Sequence, residues 1–371
     1  MGLLVDEDNM KKTVGFLITD FNGKGGTERV TAMVADGLEK HGYGVYIISC
    51  KNGMTPCYLK NEKVNILSLC GEQTNNKAIR KWKSFTQLKR YVMQYHIDVM
   101  VAVDVPLYAY LYPLQLENRC KCIAWEHFNF YAASGWFQKS IRKFAAQKAD
   151  ELVVLGQHDL ENYKQNIGKN IKAQCIYNPV AMDASCDYKG CDTKRILAAG
   201  RLEKQKGFDR LVEVWNKLEN KFPEWTLDIL GDGSQKKEIE DKIKEYKLKN
   251  IHLKGYSSDI KSEYDSASIY ALTSRYEGFV LVLIEAQARR LPCICFDIKE
   301  GPCEIIEDGV NGFLVEDGNI EQFADKLGRL MESRDLRKHF SDMAQKDLSR
   351  FENSNVINQW DKLLKELEQG D

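Results

Sequence analysis

Short apolar segments alternate with helical segments along this chain, and the alternation runs through twice. Apolar runs separated by helices are typical of parallel sheets that are covered by helices on both faces. The first set of apolar runs covers residues 13–20, 43–50, 97–104, 120–127 and 148–156, and the second set is RILAAG, WTLDILG, IHLKG, SIYALTS, LPCICFD and GFLVED. The sequence therefore predicts an α/β fold with two doubly wound sheets.

A polar stretch separates the two sets and predicts a domain boundary. IYNPV at residues 176–180 is followed by polar residues up to 194, and 371 residues are enough for two domains. We predict Rossmann-like domains at 1–180 and 181–354 that face a central cleft, where folds of this kind usually bind ligands. Residues 355–371 predict an amphipathic helix that packs back on the first domain.

The charge is unevenly divided and limits the partners. Residues 1–179 hold 23 Lys and Arg against 17 Asp and Glu, while the whole chain has a net charge of −1. A basic first half favours a phosphate-bearing ligand or an anionic lipid surface, although ordinary surface variation explains it equally well. No nucleic-acid partner is expected, because the second half is acidic.

The location predicted from sequence is cytoplasmic. The first residues, MGLLVDEDNMKK, carry acids where a secretory leader needs an apolar core, and no apolar run approaches the roughly 18 residues of a spanning helix. The 11 cysteines include no CxxC pair and no His/Cys cluster at zinc spacing, which argues against a zinc site. No other metal and no cofactor is expected.

The segment AAGRLEKQKGFD, residues 198–209, predicts a seat for a diphosphate. Arg201 and Lys206 follow the end of a strand, and Gly207 opens a helix. The free amides and the dipole of a helix N-terminus add positive potential to that of the two cations. A solvated basic turn is the alternative. ILGDGSQ, at 229–235, is a weaker signal for a ligand-binding turn.

The segment RYEGFVLVLIEA, residues 275–286, places two carboxylates eight positions apart. Either they flank an apolar helix in water, or they reach a polar ligand. If a helix begins near Val280, Glu277 lies in the loop before it and Glu285 lies in its first turns, and both then face one pocket. A carboxylate accepts two hydroxyl hydrogen bonds at once, so this pair suits a ribose and a sugar.

Two further signals lie in the first half. Glu126 and His127 end a predicted strand, which places His127 near the cleft, although a lone histidine is more often structural. Gly25 and Gly26 precede a helix and suit an anion or an acceptor group. Their spacing with Gly23 is not that of the dinucleotide fingerprint, so NAD is disfavoured.

These segments resemble family 4 of the retaining glycosyltransferases, which have the GT-B fold. The similarity runs from AAGRLEKQKGFDRLV to LPCICFDIKEGPCEIIEDGVNGFLVED and includes GGTERVTAMVADGLEKHGYGVYII, WEHFN and YNPV. One departure is Val280, where many members carry Gly or Pro. The resemblance implies that Arg201 and Lys206 bind the donor diphosphate, that Glu285 binds the ribose and that Tyr256 lies near the base. It also implies that Glu277, Gly278 and Phe279 hold the transferred sugar and that His127 approaches that sugar. Gly25 and Gly26 are implied to line the diphosphate and acceptor side.

The resemblance also implies an activity. It is metal-independent, retaining transfer of a hexose or N-acetylhexosamine from a nucleotide sugar, with UDP favoured over GDP. The acceptor is a saccharide or lipid-linked saccharide of surface polysaccharide assembly. An epimerase or hydrolase on the same scaffold and a non-catalytic nucleotide-sugar sensor are the alternatives. Basic aromatic segments at 77–91 and 135–148 suit peripheral binding at the inner face of the cell membrane, or are helices with a core face and a solvated face.

Overall fold

The computed structural model describes residues 11–23, 25–51, 55–69, 77–132, 135–182, 188 and 192–369. The chain divides into two compact units. Unit 1 comprises Met1–Pro179 and Glu352–Asp371, and unit 2 comprises Val180–Phe351. The boundary predicted from the sequence falls between residues 180 and 181. Much of the predicted linker, at 183–187 and 189–191, lies outside the described residues.

The described residues of unit 1 form a seven-stranded parallel sheet with helices between the strands. The strand order is β3-β2-β1-β4-β5-β6-β7. The elements are β1 (Lys11–Ile18), α1 (Gly26–Lys40), β2 (Tyr43–Ser49), β3 (Asn65–Ser68), α2 (Lys77–Gln94), β4 (Val99–Val103), α3 (Tyr108–Leu116), β5 (Lys121–Trp125), α4 (Trp136–Lys148), β6 (Glu151–Val154), α5 (Gln157–Ile167) and β7 (Ala173–Cys175).

Unit 2 repeats the plan with a six-stranded parallel sheet of order β10-β9-β8-β11-β12-β13. Its elements are β8 (Arg195–Ala199), α6 (Phe208–Leu218), β9 (Thr226–Leu230), α7 (Lys236–Glu245), β10 (Ile251–Gly255), α8 (Ile260–Asp265), β11 (Ile269–Leu272), α9 (Leu281–Ala288), β12 (Cys293–Asp297), β13 (Gly312–Glu316), α10 (Ile320–Glu332) and α11 (Arg334–Met343). All six strands predicted for this half are confirmed.

The burial pattern explains why these segments take these forms. Every residue of β4 and of β11 is buried, as central strands with helices on both faces require. Helix α6 buries Phe208, Leu211 and Trp215, which share one helical face. Both sheets change direction at a central pair of strands, β1 and β4 in unit 1 and β8 and β11 in unit 2. In doubly wound sheets this switch point is where ligands bind.

The last helix, α12 (Asn353–Gln369), packs in unit 1 against α1. A Cβ placed on Gly37 would lie 2.4 Å from the Ile357 side chain, so the glycine is what allows the two helices to approach closely. The buried Trp360 ring lies 4.9 Å from that of Trp125 on β5. Helix α12 therefore supports the strand end that carries His127.

Candidate functional site

The loop after β8 positions Lys206 at the switch point of unit 2. A 3-10 turn at Lys204–Lys206 ends at Gly207, which has φ of +64°. A Cβ at Gly207 would lie 2.1 Å from the carbonyl oxygen of Thr273, just after β11. Only glycine allows the start of α6 to lie this close to the end of the neighbouring strand. The loops after β8 and β11 are therefore held in contact.

Lys206 and Glu277 form an ion pair across these two loops. Lys206 Nζ lies 2.6 Å from Glu277 Oε1, and both side chains are largely buried. Ser274 Oγ donates to the same oxygen at 2.6 Å. Charge-assisted hydrogen bonds of this length are strong and directional. The structure thus brings a predicted phosphate-binding cation and a predicted sugar-binding carboxylate together.

Arg275 fastens the same two loops, and sequence reasoning missed it. Its guanidinium donates to both carboxylate oxygens of Asp209, at 2.7 and 2.6 Å, and its backbone N–H donates to the Gln205 carbonyl at 2.7 Å. Burial raises the pKa of Asp209, but the Arg275 hydrogen bonds outweigh burial and the pKa lies below its usual range. The Arg275 guanidinium is therefore engaged by Asp209, and this ion pair holds the Lys206 turn in place.

Glu285 lies in α9, as predicted, and is buried. Its side chain is 2% exposed, and the hydroxyl of Tyr264 donates to Oε2 at 3.2 Å. Tyr264 is fully buried on α8. This carboxylate is thus oriented by a neighbouring helix. A helix that simply ended in water would leave its acid exposed. The interpretation that the two acids flank an apolar helix in water is therefore wrong for Glu285.

Gly278, Phe279 and Val280 connect Glu277 to α9. The ring of Phe279 lies 5.6 Å from that of Phe351. Gly301, in the loop after β12, has φ of +102°, and a Cβ there would lie 2.9 Å from the Val280 side chain and 3.3 Å from the Gly278 carbonyl oxygen. Val280 therefore fills space against a third loop at this edge of the sheet.

The other predicted donor residues lie in neighbouring loops. Arg201 follows β8 and is exposed. A Cβ at Gly231, after β9, would lie 1.9 Å from the Gly200 carbonyl oxygen. Glu203 accepts from both the backbone N–H and the hydroxyl of Ser234, at 3.0 and 2.6 Å. Tyr256 follows β10 and is 71% exposed. The turn at Gly200 and the turn at Gly231 are thus closely packed against each other.

In unit 1, His127 follows β5 with its ring 4.3 Å from that of Trp125. Its Nε2 is buried and has no hydrogen-bond partner among the described residues. Burial lowers the pKa of His127 to about 3. The imidazole is therefore neutral near pH 7 and offers a nitrogen to a ligand, not a positive charge.

Gly25 and Gly26 begin α1, with Gly25 as the N-cap residue. A Cβ at Gly25 would lie 2.6 Å from Glu28 Oε2, and one at Gly23 would lie 2.5 Å from Glu28 Oε1. The Glu28 carboxylate therefore lies over the turn. Sequence reasoning expected an anion or an acceptor group there and overlooked that an acid in the first helical turn competes with an anion for the same amides.

A metal centre is not evident in the parts of the chain that the structure describes: no three His, Cys, Asp or Glu side chains come together there as a ligand set. Within the same residues, no helix is both long and apolar enough to cross a membrane.

Sequence comparisons follow this architecture closely. The profile described as Glycosyltransferase Family 4 matches residues 24–184, and the profile described as Glycosyl transferases group 1 matches residues 189–347. AmsD of Erwinia amylovora, an amylovoran biosynthesis glycosyltransferase, is 31% identical over 358 residues, 94% of this chain and 98% of AmsD. The chain belongs to the family 4, group 1 glycosyltransferases.

Two further similarities extend over the whole glycosyltransferase. An α-1,4-N-acetyl-D-galactosaminyltransferase of Campylobacter jejuni, which acts on an undecaprenol-diphosphate-linked saccharide, is 26% identical over 95% of this chain and 98% of its own length. HepE of Anabaena, solved with UDP and glucose, superposes with a TM-score of 0.82 at 17% identity, over 96% of this chain and 100% of HepE. The predicted GT-B fold class is thereby confirmed.

Proposed function

We propose that this enzyme transfers a hexose or N-acetylhexosamine from a nucleotide sugar, with UDP favoured, to a saccharide or lipid-linked saccharide acceptor in polysaccharide or glycoconjugate biosynthesis. The observation that carries the proposal is the Lys206–Glu277 ion pair at the switch point of unit 2. The names of AmsD and of the Campylobacter enzyme support the acceptor class, and the UDP in HepE supports the nucleotide.

The cations act on the leaving group. When the anomeric C–O bond to the diphosphate breaks, negative charge grows on the departing phosphate oxygen. A cation fixed beside that oxygen stabilises the transition state more than the ground state. Lys206 is held in place by its turn and by Glu277, and Arg201 is exposed and adds a bidentate donor.

The carboxylates act on the hydroxyl-rich parts of the donor. We assign the transferred sugar to Glu277 and the backbone of Gly278 and Phe279, and the ribose to Glu285. Tyr256, exposed after β10, is assigned to the base. The neutral imidazole of His127 accepts or donates a hydrogen bond to a substrate hydroxyl. Burial lowers the pKa of His127 and so disfavours a positive charge near pH 7.

Transfer proceeds with retention in this proposal. The acceptor oxygen attacks the anomeric carbon from the face that the diphosphate leaves, so a C–O bond forms where a C–O bond breaks. The acceptor proton passes to the leaving phosphate oxygen. Glu277 positions the sugar and forms no covalent bond. We propose that no metal is needed, because the protein itself supplies Arg201, Lys206 and the start of α6.

A donor screen tests this function. We expect one UDP-sugar to raise the melting temperature, to be slowly hydrolysed, and to remain a donor in excess EDTA. GDP-sugars should give smaller shifts. The measurements are differential scanning fluorimetry and release of UDP. If no nucleotide sugar of either series stabilises the protein, the proposal is wrong.

Glu277→Gln serves as the test of the sugar-binding role in the same screen. The amide keeps the shape but binds the sugar hydroxyls more weakly than the carboxylate does, so we expect turnover to fall about 100-fold, the size of effect that follows loss of one stabilising active-site contact. Binding of free UDP should change little, since the lost contact is to the sugar. Unchanged turnover would refute the role of Glu277.

We also propose that α2 and α4 bring the enzyme to an anionic membrane surface. Trp82 on α2 is 66% exposed, and Trp136 and Phe137 on α4 are 79% and 64% exposed. Exposed lysines accompany them on both helices. Not every aromatic or basic residue of the predicted segments 77–91 and 135–148 contributes. Phe85 and Phe144 pack against the core, and Arg142 is buried in an ion pair.

Liposome flotation tests the membrane proposal. Vesicles with 30 mol% of an anionic phospholipid should carry the enzyme upward at low salt, and Trp136→Ser should reduce the floated fraction several-fold, since aromatic side chains supply interfacial binding energy. Leu116→Ser, at a position on α3 that is 66% exposed, is the control and should float normally. Equal flotation of wild type and both variants would contradict the proposal that the exposed aromatic side chains of α2 and α4 bind the membrane.

A further inference from the structure

Asp104 lies at the switch point of unit 1, apart from the residues that we assign to the donor. It directly follows β4, the strand that lies beside β1. The loop after β1 carries Gly25 and Gly26, so Asp104 stands on the other side of the point where the strand order reverses. Ligands of doubly wound sheets bind outside the carboxyl ends of the strands at this point.

The backbone of Asp104 is strained. Its φ is +89° and its ψ is +127°, a combination that a residue with a Cβ rarely adopts. Its N–H donates to the Trp125 carbonyl at 3.0 Å, and its own carbonyl accepts from Leu107 N at 3.0 Å. Strain of this kind persists where surrounding contacts enforce it, and it concentrates at ligand-binding sites.

The Asp104 carboxyl group has unused hydrogen-bonding capacity. Oδ1 is buried and has no hydrogen-bond partner among the described residues. Burial, together with the nearby Glu126 charge, raises the pKa of Asp104 to about 7, although Arg142 and the Val105 N–H favour the charged form. A buried oxygen without a donor is costly unless a ligand supplies one.

The neighbouring carboxylate, Glu126, shows what a structural acid looks like here. Arg142 donates to both of its oxygens, at 2.7 and 3.3 Å, the Tyr163 hydroxyl donates at 2.7 Å, and Phe128 N donates at 3.0 Å. Arg142 is therefore already committed to Glu126. Asp104, in contrast, has no hydrogen-bond partner for Oδ1 among the described residues.

We propose that Asp104 binds the acceptor saccharide, with Oδ1 accepting a hydrogen bond from one of its hydroxyl groups. A sugar hydroxyl is the neutral donor that the buried oxygen lacks. His127, whose buried Nε2 also has no hydrogen-bond partner among the described residues, follows β5, the next strand, and suits a second hydroxyl. This inference rests on the function proposed above, because it assumes that the enzyme has a saccharide acceptor.

Kinetics with two readouts separate acceptor binding from donor chemistry. The probes are the octyl glycosides of glucose, galactose and N-acetylglucosamine, with the UDP-sugar identified by the donor screen. Asp104→Ala should lower kcat/KM for transfer to the glycoside that wild type uses about 100-fold, and Asp104→Asn about 10-fold, because an amide oxygen still accepts. UDP release without acceptor should stay within twofold of wild type.

The control variant is Asp98→Asn, at the other end of β4. Asp98 Oδ2 accepts from Thr13 N at 2.8 Å, a contact that an amide oxygen can keep. Transfer by this variant should be normal. If Asp104→Ala lowers transfer and donor hydrolysis equally, or changes neither, acceptor binding by Asp104 is refuted. Failure of the wild type to bind any nucleotide sugar would instead refute the proposed function itself.

Stability gives a second readout that needs no acceptor. A raised pKa means that folding favours the protonated form, so Asp104 lowers stability as pH rises from about 4 to about 7. Asp104→Asn removes this cost, and its melting temperature should exceed that of wild type at pH 8 but not at pH 4. A lower melting temperature at pH 8 would mean that the carboxylate supports the fold, which overturns the proposal.

Discussion

Replacing Lys206 with methionine should lower kcat/KM for sugar transfer by about 100- to 1000-fold, the usual effect of removing one group that stabilises developing negative charge. Methionine preserves the apolar stem, whose carbons lie 3.3 Å from a Cβ placed on Gly200, but removes the ammonium group. The loss should fall mainly on kcat, because the charge on the leaving oxygen grows in the transition state. Steady-state release of UDP measures it.

Two comparisons separate this catalytic effect from damage to the fold. Lys204→Met changes an exposed lysine in the same 3-10 turn and should be nearly silent. Lys206→Met leaves the Glu277 carboxylate without its cation, so it should also destabilise the protein. Adding Glu277→Gln should recover the stability but not the activity. Recovery of both in the double variant would show that Lys206 has only a structural role.

Gly231→Ala should produce the largest loss of stability in unit 2. The new Cβ would lie 1.9 Å from the Gly200 carbonyl oxygen, and φ at Gly231 is +131°. Neither atom belongs to a flexible side chain, so the two backbones must separate. We expect a loss of about 4 kcal/mol or more, which corresponds to a fall of about 10 °C in the melting temperature of a domain this size. Scanning calorimetry measures it.

Gly309→Ala is the matched control for that variant. Gly309 also has positive φ, at +77°, but a Cβ there meets nothing within 4 Å. It should cost only about 1 kcal/mol, the ordinary penalty for a left-handed non-glycine residue. Equal effects of the two substitutions would mean that the close approach of the β8 and β9 loops is not what makes glycine necessary.

The sequence predicts the central strands well because they carry the strongest pattern. The runs at 97–104 and 120–127 correspond to β4 and β5, with one or two residues too many at each end. Strands β3 and β7 were not predicted. Both are short and only partly buried, so they lack the continuous apolar run that marks a strand with helices on both faces.

The sequence predicts which residues of the site bind the ligand, but it does not predict how their side chains pair. Lys206 and Glu277 were expected to bind different parts of one ligand, and the structure places them 2.6 Å apart. Their direct pairing, and the fastening of their loops by Arg275 and Asp209, depend on which strands are neighbours in the sheet. Sequence spacing does not encode that order. The strained φ of Asp104 is likewise set by tertiary contacts and leaves no composition signal.

Helix α12 has a consequence for how the protein matures on the ribosome. Trp360 completes an aromatic cluster with Phe16 and Trp125, which were synthesised more than 200 residues earlier. Domains usually fold as they emerge from the ribosome, starting at the N-terminus. Here the first domain to emerge must wait, with Trp125 incompletely covered, until α12 has been synthesised. Premature termination anywhere in unit 2 therefore leaves a nascent chain in which neither half is whole, an obvious substrate for chaperones and proteases.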